Sequence, residues 1–534
     1  MKKCKRLTVL VALLLAAFSG AALAKTKTLV FCSEGSPEGF DPGQYMTGTT
    51  FDASAVQLYS RLTEFERGST NLIPGLAEKW EVAKDGLSIT FHLRKNVKFH
   101  STEFFTPTRA LNSSDVLFTF ERMIKREHPF HKSAPKGFPY ADSMGLSDSI
   151  EAIERIDDAT IRFVLKAPEA PFLANLAMSF ASILSAEYAE QLAKQGKPQN
   201  LNLQPIGTGP FVLKSYQQDQ QIRYEAFAGY YLGKQPLDRL VFVITTDPSV
   251  RYQKLKAGEC QVSVYPRPAD VAAMKQDPRI HLLGQNGLNI GYLAFNMEKK
   301  PFDNRMVREA LTLAINRAAI VQAVYQGAGA AAKNPIPPTL WSYDEKTKDF
   351  PYDPAKAKET LAKAGFANGF ATTLWAMPVQ RPYNPNARQM AEMIQADWAK
   401  IGVKASIQSF EWGEYIKRAK SAEHETLLMG WTGDNGDPDN FFAPNLSCEA
   451  AKSGENYARW CNKEFNSLIV KAKATTDQQE RAALYVKAQE IFHQDLPWVT
   501  IAHSYVYQPV RKEVIGFKMS PFGLNEFAGV DLKD

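Results

Sequence analysis

Hydrophobic and polar residues alternate along the first third of the chain, a period of two that is typical of half-buried strands. Residues 78–100, EKWEVAKDGLSITFHLRKNVKFH, alternate on both sides of the turn residues 84–86, which predicts a hairpin. Residues 150–168 show the same pattern around a turn at 157–158. Residues 27–35, KTLVFCSEG, predict a short strand that ends in a polar loop, the usual way in which a sheet edge meets a cleft.

Helical periodicity, with apolar residues three and four positions apart, marks other segments. Residues 112–125 place serine and aspartate caps ahead of an apolar face at Val116, Phe120 and Met123. Residues 302–327 predict one long amphipathic helix that ends at Gly327. Its predicted apolar face consists of Val307, Ala310, Leu311, Ala314 and Ile315.

The second half of the chain combines helices with strands. Three more helices are predicted at residues 353–366, 387–403 and 477–495. Apolar strands at 404–410 and 425–431 separate them. Alternating strands and helices predict an α/β lobe.

The N-terminus has the pattern of an export signal. Its basic residues, Lys2, Lys3, Lys5 and Arg6, precede the apolar run LTVLVALLLAAF and the small-residue stretch SGAALA. We therefore predict cleavage after Ala24 and removal of residues 1–24. A retained membrane anchor is the weaker alternative, because the apolar run is short. Cys4 precedes that run, so no cysteine stands at the cleavage point to accept a lipid.

Length and charge restrict the architecture and the partners. Without the four basic side chains of the leader, the formal charge falls from +6 to +2. This excess of positive charge is too small to indicate a protein that binds nucleic acid. The 510 residues that follow exceed what one hydrophobic core usually supports, so two or three lobes are expected. Because no repeat or low-complexity linker is visible, the lobes should be joined by short crossings.

Four cysteines follow the leader: Cys32, Cys260, Cys448 and Cys461. An even number in an exported protein favours two disulfides. Three connectivities are possible, and the nearness of Cys448 to Cys461 favours that pair together with Cys32–Cys260. A metal site is a poor alternative, because no pair has C-x-x-C spacing and no histidine lies near Cys448 or Cys461.

Motifs of catalysis are missing from the sequence. It contains no G-x-S-x-G elbow, P-loop, H-E-x-x-H or dinucleotide glycine fingerprint. His128 and His131 are the only close histidine pair, and the proline between them favours a surface loop. We therefore predict a protein that is not an enzyme and that holds no metal or cofactor.

The loop GWTGDNGDPDNFF, residues 430–442, contains three aspartates. A calcium loop is excluded, because the twelfth position, counted from Asp434 or Asp437, is not glutamate. Asp437 and Asp439 flank a proline and are interpreted as turn formers. Asp434 follows an apolar strand, at the end where α/β sheets place ligand clefts. A carboxylate there needs a cationic partner, either from the protein or from a ligand amine.

Several longer motifs occur in order along the chain: LVFCSEGSPEGFDP, PGLAEKWEVAKDG, PIGTGPF, VREALTLAINRAAI, WAMPVQRPYNPNARQMAEMIQADWAKIGV, EWGEYIKRAK and GWTGDNGDPDNFF. With them, residues 27 to the end resemble the periplasmic solute-binding proteins of the peptide and nickel transport family (solute-binding protein family 5), and most of all its dipeptide binders. The four cysteines match the two-bridge arrangement of those dipeptide binders.

The resemblance implies a two-lobed α/β fold, the cluster C type of periplasmic-binding-protein fold, which closes on its ligand like a hinge. Lobe I is expected at 25–284 and 504–534, with a small extra subdomain at about 59–184, and lobe II at 285–503.

The resemblance also implies a ligand site. Asp434 matches the aspartate that receives a peptide's ammonium, and Arg381 in VQRPYNP matches the arginine that takes its carboxylate. Main-chain contacts are expected around Thr47 and Gly48, and Trp412 matches a pocket residue. The stretch that carries the aspartate adds Trp431, Thr432 and Gly433 to the expected site.

The implied function is that of a periplasmic receptor in a Gram-negative bacterium. It would deliver dipeptides to an inner-membrane ABC permease with its ATPase subunits and act as a monomer, and a chemoreceptor is a further partner left open. Tripeptides, glutathione, haem and nickel chelates are alternative ligands. An exported peptidase that uses the acids of residues 434–439 is the alternative from a different class.

Overall fold

A computed structural model of the protein describes residues 26–135 and 137–533. The predicted signal peptide, residues 1–24, lies outside the described residues. Across the described ranges, no helix combines the length and the apolar content that a membrane span requires.

The described residues form twenty strands, which are numbered in chain order. They are β1 Thr28–Ser33, β2 Thr63–Phe65, β3 Leu72–Pro74, β4 Ala77–Val82, β5 Ser88–Leu93, β6 Ile150–Asp157, β7 Thr160–Leu165, β8 Phe211–Gln217, β9 Gln221–Ala226, β10 Arg239–Ile244, β11 Val262–Ser263, β12 Ile280–Asn286, β13 Asn289–Phe295, β14 Gly329–Ala331, β15 Ala371–Trp375, β16 Lys404–Gln408, β17 Thr426–Thr432, β18 Trp498–Arg511, β19 Val514–Ile515 and β20 Asp531–Leu532.

The α-helices of the described residues are numbered in the same way. They are α1 Gly48–Ala53, α2 Ala55–Leu58, α3 Ser113–Ile124, α4 Pro129–Lys132, α5 Pro139–Ser143, α6 Leu146–Ser149, α7 Phe172–Asn175, α8 Ala186–Lys194, α9 Asn200–Leu203, α10 Pro248–Ala257, α11 Val271–Gln276, α12 Arg305–Ala314, α13 Arg317–Ile320, α14 Pro354–Lys363, α15 Ala387–Ala399, α16 Trp412–Lys420, α17 Asp439–Leu446, α18 Cys448–Ser453, α19 Lys463–Ala474 and α20 Gln478–Asp495. Short 3-10 turns lie at Pro42–Gln44, Ser179–Ala181 and Pro268–Asp270, and a π-helical turn at Val321–Tyr325.

One long sheet path runs through the molecule in the order β16-β15-β17-β13-β18-β11-β1-β10-β9-β8. The 14-residue strand β18 joins its two halves. The first part of β18 pairs with β13 and β14, and its last part pairs with β12 and β11. A separate antiparallel sheet has the order β4-β5-β7-β6.

Buried apolar side chains form two large cores. One draws mainly on residues 29–264, and the other on residues 288–522. We call the parts of the molecule around them the first and the second lobe. Trp431 and Leu524 pack against both cores, so they mark the boundary where the lobes meet.

Both predicted hairpins are confirmed. Strands β4 and β5 pair antiparallel across the turn that contains Gly86, and β6 and β7 pair with Asp157 opposite Thr160. Gly86 adopts a φ of 71°, a left-handed conformation that glycine reaches without steric cost. The strand predicted from residues 27–35 is β1.

The helix predicted at 112–125 is confirmed as α3, with all three residues of its predicted apolar face buried. Its cap differs from the prediction. Asn112 accepts a hydrogen bond from the backbone of Ser114, and Asp115 completes the capping box, because the side chain one position ahead of the serines reaches the free N–H groups. The helices predicted at 353–366, 387–403 and 477–495 are α14, α15 and α20.

The single helix predicted at 302–327 is wrong. The segment forms α12, α13 and the π-helical turn, and it is interrupted at Ile315, which is extended. Asn316 caps α13 through a 3.0 Å hydrogen bond from the Ala319 backbone. Asparagine competes for backbone groups in this way, so the helix restarts although the apolar period continues. Gly327 has a φ of 88° and lies beyond the helical region, as predicted.

Both predicted disulfides are present. Cys32 and Cys260 are bonded with their Cα atoms 5.8 Å apart, and Cys448 and Cys461 with theirs 4.6 Å apart. The first bridge ties β1 to the segment before β11, its parallel neighbour. The predicted lobe boundaries at 284/285 and 503/504 fall within β12 and β18 and remain predictions.

Candidate functional site

Two cavities lie where the lobes meet. The larger has about 780 Å³ of empty space, including space open to solvent, and the smaller about 330 Å³ on the same measure. Arg381 and Thr432 line the larger cavity, and Asp434 lines the smaller one. Leu524 lines both, so the two cavities are neighbours.

Asp434 lies two residues beyond the end of β17, whose first five residues are buried. Its backbone N–H donates to Asn440 Oδ1 at 2.8 Å, and the indole N–H of Trp431 donates to the same oxygen at 3.2 Å. The Tyr140 hydroxyl of the first lobe donates to Asp434 Oδ2. Neutral hydrogen bonds from the side chains of Tyr140 in the first lobe and Asn440 in the second therefore hold the carboxylate.

Asp434 combines a raised pKa with the absence of an ion pair among the described residues. Burial raises its pKa to about 7, although the hydrogen bonds of Tyr140 and Asn440 lower it. Within residues 26–135 and 137–533, no lysine or arginine forms an ion pair with it. The cation that such a carboxylate requires is not supplied by the described part of the protein.

The other two aspartates of the loop have different surroundings. Asp437 Oδ1 accepts a hydrogen bond from the Asp439 backbone at 2.9 Å, which confirms the predicted turn. The same oxygen forms an ion pair with Arg481 at 2.7 Å. Asp439 begins α17 and is buried, which raises its pKa to about 7, with Lys473 opposing the shift. Neither aspartate lines either of the two cavities.

Arg381 extends into the larger cavity from the second lobe. One guanidinium N–H lies 3.4 Å from Glu34 Oε1 of the first lobe, and the Arg381 and Glu34 side chains are only 11 % and 9 % exposed. The guanidinium carbon is 5.0 Å from the ring centre of Trp412. The indole Nε1 of Trp412 is buried and has no hydrogen-bond partner within the described ranges. Because this contact with Glu34 involves one N–H at the edge of the fork, other donors of the guanidinium can meet a second carboxylate.

The remaining predicted site residues differ in whether they line a cavity. Thr432 lines the larger cavity, and Trp431 lies at the boundary of the lobes. Gly433 permits a close approach, because a Cβ there would lie 2.7 Å from the Phe441 ring. Gly48 begins α1 and Thr47 is its N-cap, and these two residues line neither cavity.

Several residues of the site were not predicted from the sequence. Tyr140 lies in a short segment with no recognisable motif, and Glu34 occurs in the loop after β1 that was expected at a cleft. Four tyrosines also line the larger cavity: Tyr265, Tyr325, Tyr505 and Tyr507. For Glu34 the signal was present, since a carboxylate at the end of a central strand is a candidate ligand contact. Among the described residues, no cluster of three or more histidines, cysteines or acids could hold a metal ion.

Comparison with known proteins places this site in a family. Residues 71–453 match the model of the bacterial extracellular solute-binding proteins, family 5 Middle. The dipeptide-binding protein of Escherichia coli is 57 % identical over 519 residues, which cover 97 % of each chain. The heme-binding protein A of Haemophilus influenzae is 49 % identical over 512 residues, covering 96 % of this chain and 93 % of its own.

The fold is also similar to that of solved structures. A dipeptide binding protein from a Pseudoalteromonas species, crystallised in complex with Met-Leu, superposes with a TM-score of 0.92 at 42 % identity and covers 95 % of this chain and 100 % of its own. This similarity confirms the expected two-lobed α/β fold. Because the family model matches more than half of the residues and the E. coli relative matches nearly all of them, the chain belongs to family 5 of the bacterial extracellular solute-binding proteins.

Proposed function

We propose that the protein captures dipeptides by their two charged ends and delivers them to an inner-membrane ABC permease with its ATPase subunits. One observation carries the proposal: Asp434 lies between the lobes with no cationic partner in the described structure, beside a cavity that contains Arg381. A peptide ammonium would supply the missing charge. The names of the E. coli relative and of the Pseudoalteromonas structure, a dipeptide-binding protein in each case, support this ligand class.

A free peptide is a zwitterion whose length depends on its number of residues. Two extended residues span roughly 7 Å, and each further residue adds about 3.3 to 3.6 Å. If Asp434 holds the ammonium and Arg381 the carboxylate, the two groups select for length as well as for charge. The planar guanidinium suits its role because it binds a carboxylate through two parallel hydrogen bonds.

The surroundings of Arg381 support this assignment. Its fork lies over the ring of Trp412 and contacts Glu34 at one edge, so its orientation is restrained before a ligand arrives. The buried Nε1–H of Trp412 offers one more donor at this end. Thr47, Gly48, Thr432 and Gly433 are proposed to contribute main-chain contacts as the lobes close. Hydrogen bonds to the peptide backbone would leave its side chains free to vary.

The proposal includes the setting of the protein. Removal of residues 1–24 would release it as a monomer into the periplasm of a Gram-negative bacterium, where it acts without a cofactor and catalyses no reaction. The lobe boundaries at 284/285 and 503/504 belong to the same proposal.

Isothermal calorimetry tests the two charged contacts. Alanylalanine should bind the wild type, whereas Asp434→Ala should lose about 2 to 5 kcal/mol of binding free energy, the usual loss when one member of a buried charge pair is removed. N-acetylation of the dipeptide, which removes the ammonium, should have a similar effect. Unchanged affinity in either experiment would show that the ammonium binds elsewhere.

A thermal-shift screen distinguishes the alternatives, because a ligand that binds only the folded state raises the melting temperature. The screen contains dipeptides, tripeptides, glutathione and haem, and a change in the haem absorption spectrum reports that ligand independently. Free amino acids released from a dipeptide would instead support a peptidase. A larger shift with any ligand other than dipeptides would refute the proposed specificity.

A further inference from the structure

Tyr265, in the wall of the larger cavity, has an unusual backbone conformation. Its φ is 44°, in the left-handed region that side chains larger than asparagine rarely adopt. For an aromatic residue this conformation is strained, and it persists only where surrounding contacts impose it. Strained residues of this kind concentrate at ligand sites.

Arg251 holds the tyrosine from behind. Its guanidinium donates to the backbone carbonyls of Thr245 and Thr246, both at 2.8 Å, of Val264 at 3.1 Å, and of Tyr265 itself at 3.2 Å. The arginine side chain is almost fully buried. It therefore ties the chain after β10 to the chain after β11 and fixes the strained peptide in place.

The ring of Tyr265 belongs to a lining that is mainly aromatic and apolar. Around it lie Tyr325, Tyr505, Val506 and Leu524. Burial is the main reason that the pKa of Tyr265 is raised, and the Glu34 and Asp52 carboxylates raise it further. The hydroxyl thus stays neutral, and the ring presents an uncharged face to the cavity.

The smaller cavity has a different chemistry. Asp434 shares it with Arg61, Glu64 and Glu526, and an ion pair joins Arg61 to Glu64. The rest of its lining is small or apolar: Phe65, Ala177, Met178, Ser179, Phe522 and Leu524. Its empty space, about 330 Å³, is less than half that of the larger cavity. The two ends of the site therefore differ in size and in polarity.

We propose that Tyr265 selects the second side chain of the ligand, so that the receptor prefers dipeptides with a large apolar or aromatic residue at the carboxyl end. The inference rests on the proposed function, because it requires the ammonium at Asp434 and the carboxylate at Arg381. Each side chain of a dipeptide branches beside one charged end. The first side chain then enters the small charged cavity, and the second enters the large aromatic one.

The test compares Ala-Phe with Phe-Ala, which have the same composition, size and charge. Calorimetry should give an affinity for Ala-Phe that is about tenfold or more higher, since the larger cavity has more than twice the empty space and the more apolar lining. Equal affinities, or a preference for Phe-Ala, would overturn the inference while leaving the proposed function intact. If neither dipeptide binds, both are wrong.

Variants of Tyr265 connect the preference to the ring. Tyr265→Gly removes the ring and is compatible with a positive φ, so the protein should fold, as its melting temperature verifies. This variant should bind Ala-Phe about tenfold more weakly and leave Ala-Ala within about twofold. Tyr265→Phe is the matched control and should keep the wild-type preference. An equal loss for Ala-Phe and Ala-Ala in the glycine variant would show that the ring does not select side chains.

Discussion

Replacing Asp434 by asparagine should make the ligand-free protein more stable and the receptor less able to bind. The carboxylate lies between the lobes without a cation in the described structure, and its pKa is about 7, compared with an ordinary value of 3.8. Asparagine keeps the size and the hydrogen-bond acceptor for Tyr140 but removes the charge. The substitution therefore separates the loss of folding stability that the uncompensated carboxylate causes from its contribution to ligand binding.

The magnitude follows from the pKa. An acid whose pKa is raised on folding is easier to fold when it is protonated. The stability that Asp434 costs the protein is therefore absent below about pH 4, grows between pH 4 and 7, and is constant above pH 7. A difference of about three pH units corresponds to about 4 kcal/mol. Since Asp434 is partly exposed, water screens part of this cost. We expect Asp434→Asn to raise the free energy of unfolding by about 2 kcal/mol at pH 8 and to leave it unchanged at pH 4.

Asp437→Asn is the matched control, with the same chemical change three residues away. Asp437 forms an ion pair with Arg481 in which both side chains are nearly buried. Its loss leaves the arginine unpaired and should lower the free energy of unfolding at pH 8 by about 3 kcal/mol. Dipeptide affinity should remain at the wild-type value in this control.

Denaturant titrations of ligand-free protein at pH 4 and pH 8 measure both variants, and calorimetry with one dipeptide measures binding. If Asp434→Asn destabilises the protein at pH 8 as much as Asp437→Asn does, a protein cation neutralises Asp434. If it also binds the dipeptide as tightly as the wild type, its proposed role is refuted.

Three further predictions follow from the same structure. Dipeptide affinity should fall below pH 7 by up to about tenfold per pH unit, because Asp434 must lose its proton to meet an ammonium; calorimetry from pH 5 to 8 should show a flat profile for Asp434→Asn. Replacing Cys448 and Cys461 together by serine should lower the free energy of unfolding by about 3 kcal/mol in denaturant titrations, and wild-type stability would contradict this. Gly433→Ala would place a Cβ 2.7 Å from a phenylalanine ring and should cost about 1 to 3 kcal/mol and weaken binding. Gly48→Ala, whose Cβ would meet no atom within 4 Å beyond its own helix backbone and chain neighbours, should be neutral for stability.

Local patterns predicted many of the elements because their causes are local. A period of two with a glycine turn produced the hairpin of β4 and β5, and three apolar positions on one face produced α3. The wrong prediction of a single helix at 302–327 has a local cause as well. Asn316 offers its side chain to the backbone and starts a new helix, an alternative that apolar periodicity does not register.

The site is less predictable because it is assembled from distant segments. Tyr140 and Asp434 are 294 residues apart in sequence, and Glu34 and Arg381 are 347 apart. No period or spacing connects such residues. Asp434 could be singled out only because its own strand brings it to a sheet end, and its proposed role came from a family resemblance.

The sequence by itself determined the α/β class and the difference between Asp434 and its neighbours in the loop, and it predicted the export signal and the Cys448–Cys461 bridge. These depend on composition, on periodicity and on residues adjacent in the chain. Only the tertiary structure decided that Asp434 has no cationic partner among the described residues while Asp437 has Arg481, and that Arg251 holds Tyr265 in a strained conformation. The physical reason is that pairing of charges and shape of cavities depend on which distant segments meet when the two lobes pack.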